Sequence, residues 1–355
     1  MAMTSRERVL CALRRQEPDR VPIDDSPWAT TITRWHREGL PEDVAPAEYF
    51  GYEFAGQGAD TSFRFPVETL EETDEYTIAK GANGETRKNW KHATSTPECI
   101  AFTINTRKAW EEHKERLVFS RDRIDWETGL KDNKDRVEAG KFVPYASAFG
   151  YDWTQGVVGS ETLLMEMALD PGWIKELMMA EVDLLIHCAE EMLAGGFHFD
   201  GAFLFDDNGY RNTTLFSPQM YREIVWPVHK RACDFFNARD LPVILHTCGC
   251  VNNFMSGYAE AGFACIQPLE VKAKMDLIQL KRDFGDKLAF MGGIDVRKMA
   301  MDDPGPIEEE IRTKITAAKV GGGYIYHSDH SVPDNISFEN YKRVMALVAK
   351  YGAYD

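Results

Sequence analysis

His246 and Cys248 stand two residues apart at the end of the apolar run Val243-Ile-Leu245, inside the stretch Pro242-Val-Ile-Leu-His-Thr-Cys-Gly-Cys-Val251. A short apolar run of this kind reads as a parallel strand covered on both faces, and Gly249 breaks it. Successive side chains of a strand alternate, so a spacing of two puts the imidazole and the thiol on one face. Together at a strand's carboxyl end they suit zinc, which takes nitrogen and sulfur ligands. The bland alternative is a buried cysteine acting as a small hydrophobe beside a core histidine. A zinc site needs at least a third protein ligand. Cys250 is one source, and the stretch His327-Ser-Asp-His330 is the other, offering His327 with Asp329, or Ser328 with His330, on one face.

Other polar residues end one expected strand after another: Asp24 and Asp25, Asp206 and Asp207, Glu270, and Asp295. Asp206 and Glu270 are the candidate catalytic carboxylates, placed to orient a ligand histidine or position a substrate. Asp207 and Asp295 read equally well as caps of the helices that follow. For the whole set the competing view is a structural polar network tying a rim together.

The elements that would position these groups alternate regularly. Extended runs at 142–149, 202–205, 243–246, 265–269, 288–292 and 324–326 are each followed by a helical pattern, the longest at 161–195 and broken near Pro171. Upstream, residues 21–24 read as a first strand after a helix capped by Thr4 or Ser5. This rhythm predicts a (β/α)8 TIM-type barrel, a single domain over residues 1–355, with a doubly wound sheet as the alternative. The barrel is preferred because barrel active sites sit at the carboxyl ends of the strands, where the polar residues fall. Residues 61–104 read as an inserted N-terminal elaboration, with a β-hairpin formed by 75–80 and 85–90 around Gly81-Ala-Asn-Gly84.

Composition narrows the partners. The chain carries 41 Lys+Arg against 57 Asp+Glu, a net charge of −16, which repels nucleic acid and anionic membrane surfaces. Its 7 cysteines follow no framework, as expected of a reducing compartment. With a polar start and no apolar run of membrane-spanning length, the expectation is a cytoplasmic protein. Phosphate-cradling loops, the Gly-x-Ser-x-Gly elbow and His-Glu-x-x-His are absent, and Gly321-Gly-Gly323 reads as a turn because it precedes a strand.

Several blocks carry a family likeness: Ser5-Arg-Glu-Arg-Val-Leu-Cys-Ala-Leu-Arg-Arg-Gln-Glu-Pro-Asp-Arg-Val-Pro22, Phe205-Asp-Asp-Asn-Gly209, Ser217-Pro-Gln-Met-Tyr-Arg-Glu223, His246-Thr-Cys-Gly249, Gln267-Pro-Leu-Glu270 and Gly323-Tyr-Ile-Tyr-His-Ser-Asp-His-Ser-Val-Pro333. They resemble the uroporphyrinogen decarboxylase superfamily. The resemblance implies a barrel with one of two chemistries. The haem-synthesis decarboxylases use an Arg-Gln-Ala-Gly-Arg motif to bind tetrapyrrole carboxylates, and Arg14-Arg-Gln16 lacks its second half. The corrinoid-dependent methyltransferases, such as the methylcobamide:coenzyme M enzymes, hold zinc with a His-x-Cys and a distant C-terminal cysteine. His246 and Cys248 match the first part, while Asp329 stands nearest the place of the missing cysteine. The resemblance therefore implies zinc, a corrinoid (cobalamin) carried by a partner protein, and a small-molecule methyl donor or acceptor. Porphyrinogen decarboxylation and a non-catalytic small-ligand barrel are the alternatives.

Overall fold

In the computed structural model, which describes residues 3–92 and 97–354, the chain opens with helix α1 (Ser5–Leu13), α2 (Ala29–Arg37) and the single turn α3 (Pro46–Tyr49). An antiparallel sheet follows, with strands β1 (Glu68–Glu72), β2 (Tyr76–Lys80), β3 (Glu85–Trp90) and β4 (Glu98–Phe102) in sequential order. Helices α4 (Arg107–His113) and α5 (Thr128–Glu138) lead to β5 (Pro144–Ala148), then α6 (Gly150–Val158), α7 (Ser160–Leu169) and α8 (Pro171–Ala194). The remainder alternates: β6 (Gly201–Phe205), α9 (Pro218–Met220), α10 (Trp226–Asn237), β7 (Val243–His246), α11 (Met255–Ala261), β8 (Cys265–Gln267), α12 (Leu277–Phe284), β9 (Ala289–Met291), α13 (Val296–Met299), α14 (Gly305–Ala318), β10 (Tyr324–Ile325) and α15 (Phe338–Gly352). Among the described residues no helix is long and apolar enough to cross a membrane.

Strands β5 to β10 form one parallel six-stranded sheet in sequential order. Two extended segments complete the ring between its edges. Residues 22–24 lie beside the end of β10, where Tyr326 N donates to Pro22 O at 2.8 Å and Asp24 N to Tyr326 O at 3.1 Å. Residues 53–57 lie beside β5, with Ala55 N on Phe142 O and Gln57 N on Pro144 O, both at 3.0 Å. The two segments meet through Glu53 N on Ile23 O at 3.0 Å, and the Glu53 side chain accepts from Ile23 N at 2.7 Å. The expected first strand at 21–24 is thus an extended segment with an isolated bridge. Pro22 has no N–H to give, and a carboxylate replaces the next backbone acceptor.

The segment at 53–57 has no counterpart in the sequence reading. Its glycines explain the fit: a Cβ on Gly58 would fall 2.1 Å from the Ala146 carbonyl oxygen, so no larger residue can lie against β5 there.

Helix α1 plugs the amino end of the barrel. Thr4 caps it in a reciprocal box with Glu7, and Val9, Leu10, Ala12 and Leu13 join Phe142, Phe203, Ile244, Cys265, Ala289, Met291 and Ile325 in the lumen. Each larger apolar side chain so buried contributes about 1.5–3 kcal/mol. The plug is fastened by charge, for the buried Arg8 guanidinium pairs with the buried Glu53 carboxylate and, at 2.6 Å, with Asp19. Because the amino end is filled, a cavity of the lumen must open at the carboxyl end.

The hairpin of the N-terminal elaboration is β2–β3, in register from Tyr76 opposite Trp90 to Lys80 opposite Thr86. The long helical region divides at Pro171 into α7 and α8, and Ser217 caps the helix beginning at Pro218 with its hydroxyl on Met220 N. Helix α6 was not anticipated, because Gly150, Gly156 and Gly159 interrupt its helical pattern.

Candidate metal centre

Strand β7 delivers His246 at its carboxyl end, and the alternation of side chains carries through to Cys248. The Cys248 Sγ lies 3.4 Å from His246 Nε2. Asp207, from the loop after β6, completes a first group able to hold a metal, with an oxygen 3.5 Å from the same Nε2. Cys248 also belongs to a second group, with Glu270 after β8 and His330 after β10. A close crossing of loops makes this possible. Gly249, at φ +81, passes Gly209 so tightly that a Cβ on either would lie 2.4 Å from the other loop's backbone. Asp207 then accepts from Cys248 N at 2.6 Å and Glu270 from Gly249 N at 3.0 Å.

The protonation of His246 can be traced from a carbonyl oxygen, which only accepts. His327 Nδ1 donates to Ser328 O at 2.7 Å, so its Nε2 accepts, from Ser26 Oγ at 3.0 Å and Gln267 Nε2 at 3.3 Å. With its amide nitrogen spent on His327, Gln267 turns its oxygen to His246 Nδ1, which must donate. His246 Nε2 therefore presents a lone pair toward Cys248 and Asp207. Burial pushes the His246 pKa down, favouring the neutral ring a metal needs. Burial, with the Asp207 and Glu270 carboxylates, pushes the Cys248 thiol well up. Nitrogen, sulfur and carboxylate donors with surplus negative charge fit a zinc ion, whose charge would relieve that repulsion and release the thiol proton. Replacing Gln267 with leucine, which removes the hydrogen bond that orients His246, should weaken zinc affinity about 10–100-fold by competition with a chelator.

The other expected ligands fall elsewhere. Cys250 leaves the cluster because Gly249 turns the chain: its backbone N–H bonds Tyr210 O at 2.8 Å, and its thiol accepts from Asn252 at 3.6 Å. Asp329 is spent on backbone, accepting from Val271 N at 2.9 Å and Val296 N at 3.0 Å. The expected alternation along this loop also fails. The chain bends at Asp329 and His330, and both His327 and His330 face the cavity while Asp329 does not. His327 lines the wall with its two nitrogens already bonded, and His330 is the histidine that reaches Cys248.

Asp206 lies outside the cavity, fully buried, with one oxygen 2.6 Å from His229 Nε2 on α10 and the other accepting from Asp152 N on α6 at 2.7 Å. The period of two explains this: Phe203 and Phe205 face the lumen, so Asp206 faces the helices. Asp295 is a cap, accepting from Arg297 N at 3.0 Å and paired with its guanidinium.

A cavity of about 530 Å³ opens beside the cluster, lined by His246, Cys248 and His330 and by Phe54, Phe203 and Phe205, the last with its ring 5.3 Å from that of His246. Asp24 and Asp25 form a third part of the wall.

A family model described as uroporphyrinogen decarboxylase (URO-D) matches residues 154–351. The chain belongs to the uroporphyrinogen decarboxylase family. The matched region runs from α6 into α15 and so holds every residue of the candidate metal cluster. Among solved structures, a methyltransferase from Methanosarcina mazei is 17% identical over 98% of this chain and 99% of its own, with a TM-score of 0.64, which establishes a common fold. A sugar phosphate isomerase/epimerase from Parabacteroides distasonis, 13% identical over 67% of this chain and 82% of its own, reaches a TM-score of only 0.36, too low to bear on the fold. No curated protein sequence matches the chain.

Proposed function

We propose that this member of the uroporphyrinogen decarboxylase family is a zinc-dependent methyltransferase. It moves a methyl group between a small methylated substrate, or a thiol or folate acceptor, and a corrinoid carried by a partner protein. The observation that carries the reading is the pair His246 Nε2 and Cys248 Sγ, 3.4 Å apart beside a cavity at the carboxyl ends of the barrel strands. His246 and Cys248 hold the metal, with Asp207, or Glu270 and His330, completing the set. Bound there, zinc lowers the pKa of a substrate thiol or acts as a Lewis acid on a leaving ether or amine. Gln267 and His327 keep the His246 lone pair directed at the centre, and Glu270, tied to Gly249 N, holds the loop that carries Cys248. The likeness to a methyltransferase fold supports the reading.

Decarboxylation of a porphyrinogen has the family's description in its favour. Against it stands the position of Arg14-Arg-Gln16 at the closed end of the barrel, where Arg15 donates to Lys287 O just before β9. Zinc-replete protein mixed with cob(I)alamin and a broad panel of methyl donors is expected to form methylcobalamin, seen by its absorbance, and to consume it with a panel of thiols and folates. Failure across both panels, together with metal-independent release of carbon dioxide from a porphyrinogen, would sink the proposal.

A further inference from the structure

Asp24 and Asp25 are neighbours with opposite fates. Asp25 has its oxygens filled, accepting from the Ser328 hydroxyl, from Ser26 N at 3.0 Å, and from the hydroxyls of Tyr326 at 3.3 Å and Tyr341 at 2.8 Å. It is a structural carboxylate. Asp24 faces the cavity, and among the described residues no side chain pairs with its carboxylate; the backbone N–H of Asp25 is the donor it has. Desolvation and the charge of Asp25 push its pKa well up, and the charge of Lys141 offsets only part of this.

The surroundings show what counterion would suit it. Among the described residues lining the cavity there is no arginine or lysine, and three phenylalanines line it. Phe54, Phe203 and Phe205 stand in sequence, with ring centroids 6.3 and 5.0 Å apart, and Phe205 lies 5.3 Å from the ring of His246. Of the nearby lysines, Lys141 bonds the Tyr52 carbonyl and acts on Asp24 through its charge without pairing with it, and Lys272 is on Glu270 at 3.2 Å. A carboxylate beside aromatic faces is the pairing that recognises alkylated ammonium groups, through charge and through the negative faces of the rings. Without a bound metal the same wall gives a sulfonate, phosphate or carboxylate no arginine or lysine to set against the carboxylates it would meet.

We propose that the cavity binds a small cationic methylated amine, its ammonium group against Asp24 and the phenylalanine faces, and that without its metal it rejects small anions. Asp24 is the specificity residue. As a statement about the methyl donor this rests on the methyltransferase reading, but as a statement about binding it stands apart from it and can fail separately.

The test is calorimetric titration of the metal-free protein with three probes of similar size: benzyltrimethylammonium, benzyl alcohol and benzenesulfonate. The cation should bind at least about tenfold more tightly than the neutral probe, and the sulfonate should show no binding. Asp24→Asn should remove the cation's advantage and leave the neutral probe unchanged, while Asp24→Glu should keep part of it. Equal or tighter binding of the sulfonate, unchanged selectivity in a folded Asp24→Asn protein, or no binding of the ammonium up to its solubility limit each overturns the proposal. Methyl transfer plays no part in these readouts.

Discussion

His246→Ala should leave the purified protein nearly without zinc and lower methyl transfer by about three orders of magnitude or more. A Lewis acid contributes several kcal/mol of transition-state stabilisation, and each ~1.4 kcal/mol is tenfold in rate. Cys248→Ser should act similarly, because the sulfur belongs to both groups able to hold the metal. Cys265→Ser is the control, since Cys265 is packed in the lumen below the cluster and its loss should disturb packing while metal content holds. Asp207→Asn and His330→Ala separate the two possible ligand sets, the larger fall in occupancy naming the one in use. Elemental analysis after purification without chelators reads all of these. A His246→Ala protein that retains stoichiometric zinc would place the metal elsewhere.

Glu53→Ala should destabilise the fold by roughly 3–5 kcal/mol, as expected when one partner of a buried ion pair is removed and the other stays buried. Glu53 is fully buried and serves Arg8, Arg20 and Ile23 N at once, so its removal leaves the Arg8 Nη1 buried without its carboxylate, although Asp19 still holds the rest of the guanidinium, and opens the seam between residues 22–24 and 53–57. Replacing the pair together, Arg8→Met with Glu53→Leu, should recover part of the loss, since the two buried charges go together and the partners they leave, Asp19 and Arg20, are each more than a third exposed and reach water. Denaturant unfolding followed by circular dichroism measures both. If the single and double variants prove equally unstable, the seam depends on the carboxylate's bond to Ile23 N, lost in both, and the ion pair is incidental.

What was legible in the sequence was what repeats. Strands β5 to β10 showed as apolar runs because both of their faces are covered, and the period of two correctly brought His246 and Cys248 together. The same period could have excluded Asp206: with Phe203 and Phe205 facing the lumen, the next residue but one from Leu204 must face the helices. Asp207 and His330 were harder, since their places depend on a loop crossing at Gly209 and Gly249 and on a bend after Ser328. Neither feature has a periodic signal. The segment at 53–57 was hidden for a related reason, its role resting on close approach to β5 rather than on apolar side chains.

The ring of the barrel is closed by neighbours far apart in the chain, Ile23 beside Tyr326, and the same segment ties down the end of α15 through Val21 N on Gly352 O at 2.8 Å. A ribosome adding about 5–20 residues each second needs on the order of 15–60 s to pass from the first of these residues to its partner. For that interval Val9, Leu10 and Leu13 have no lumen to enter, although Glu53, which anchors the helix carrying them, is made within seconds. The nascent chain therefore carries a helix whose apolar face its own unfinished barrel cannot yet cover.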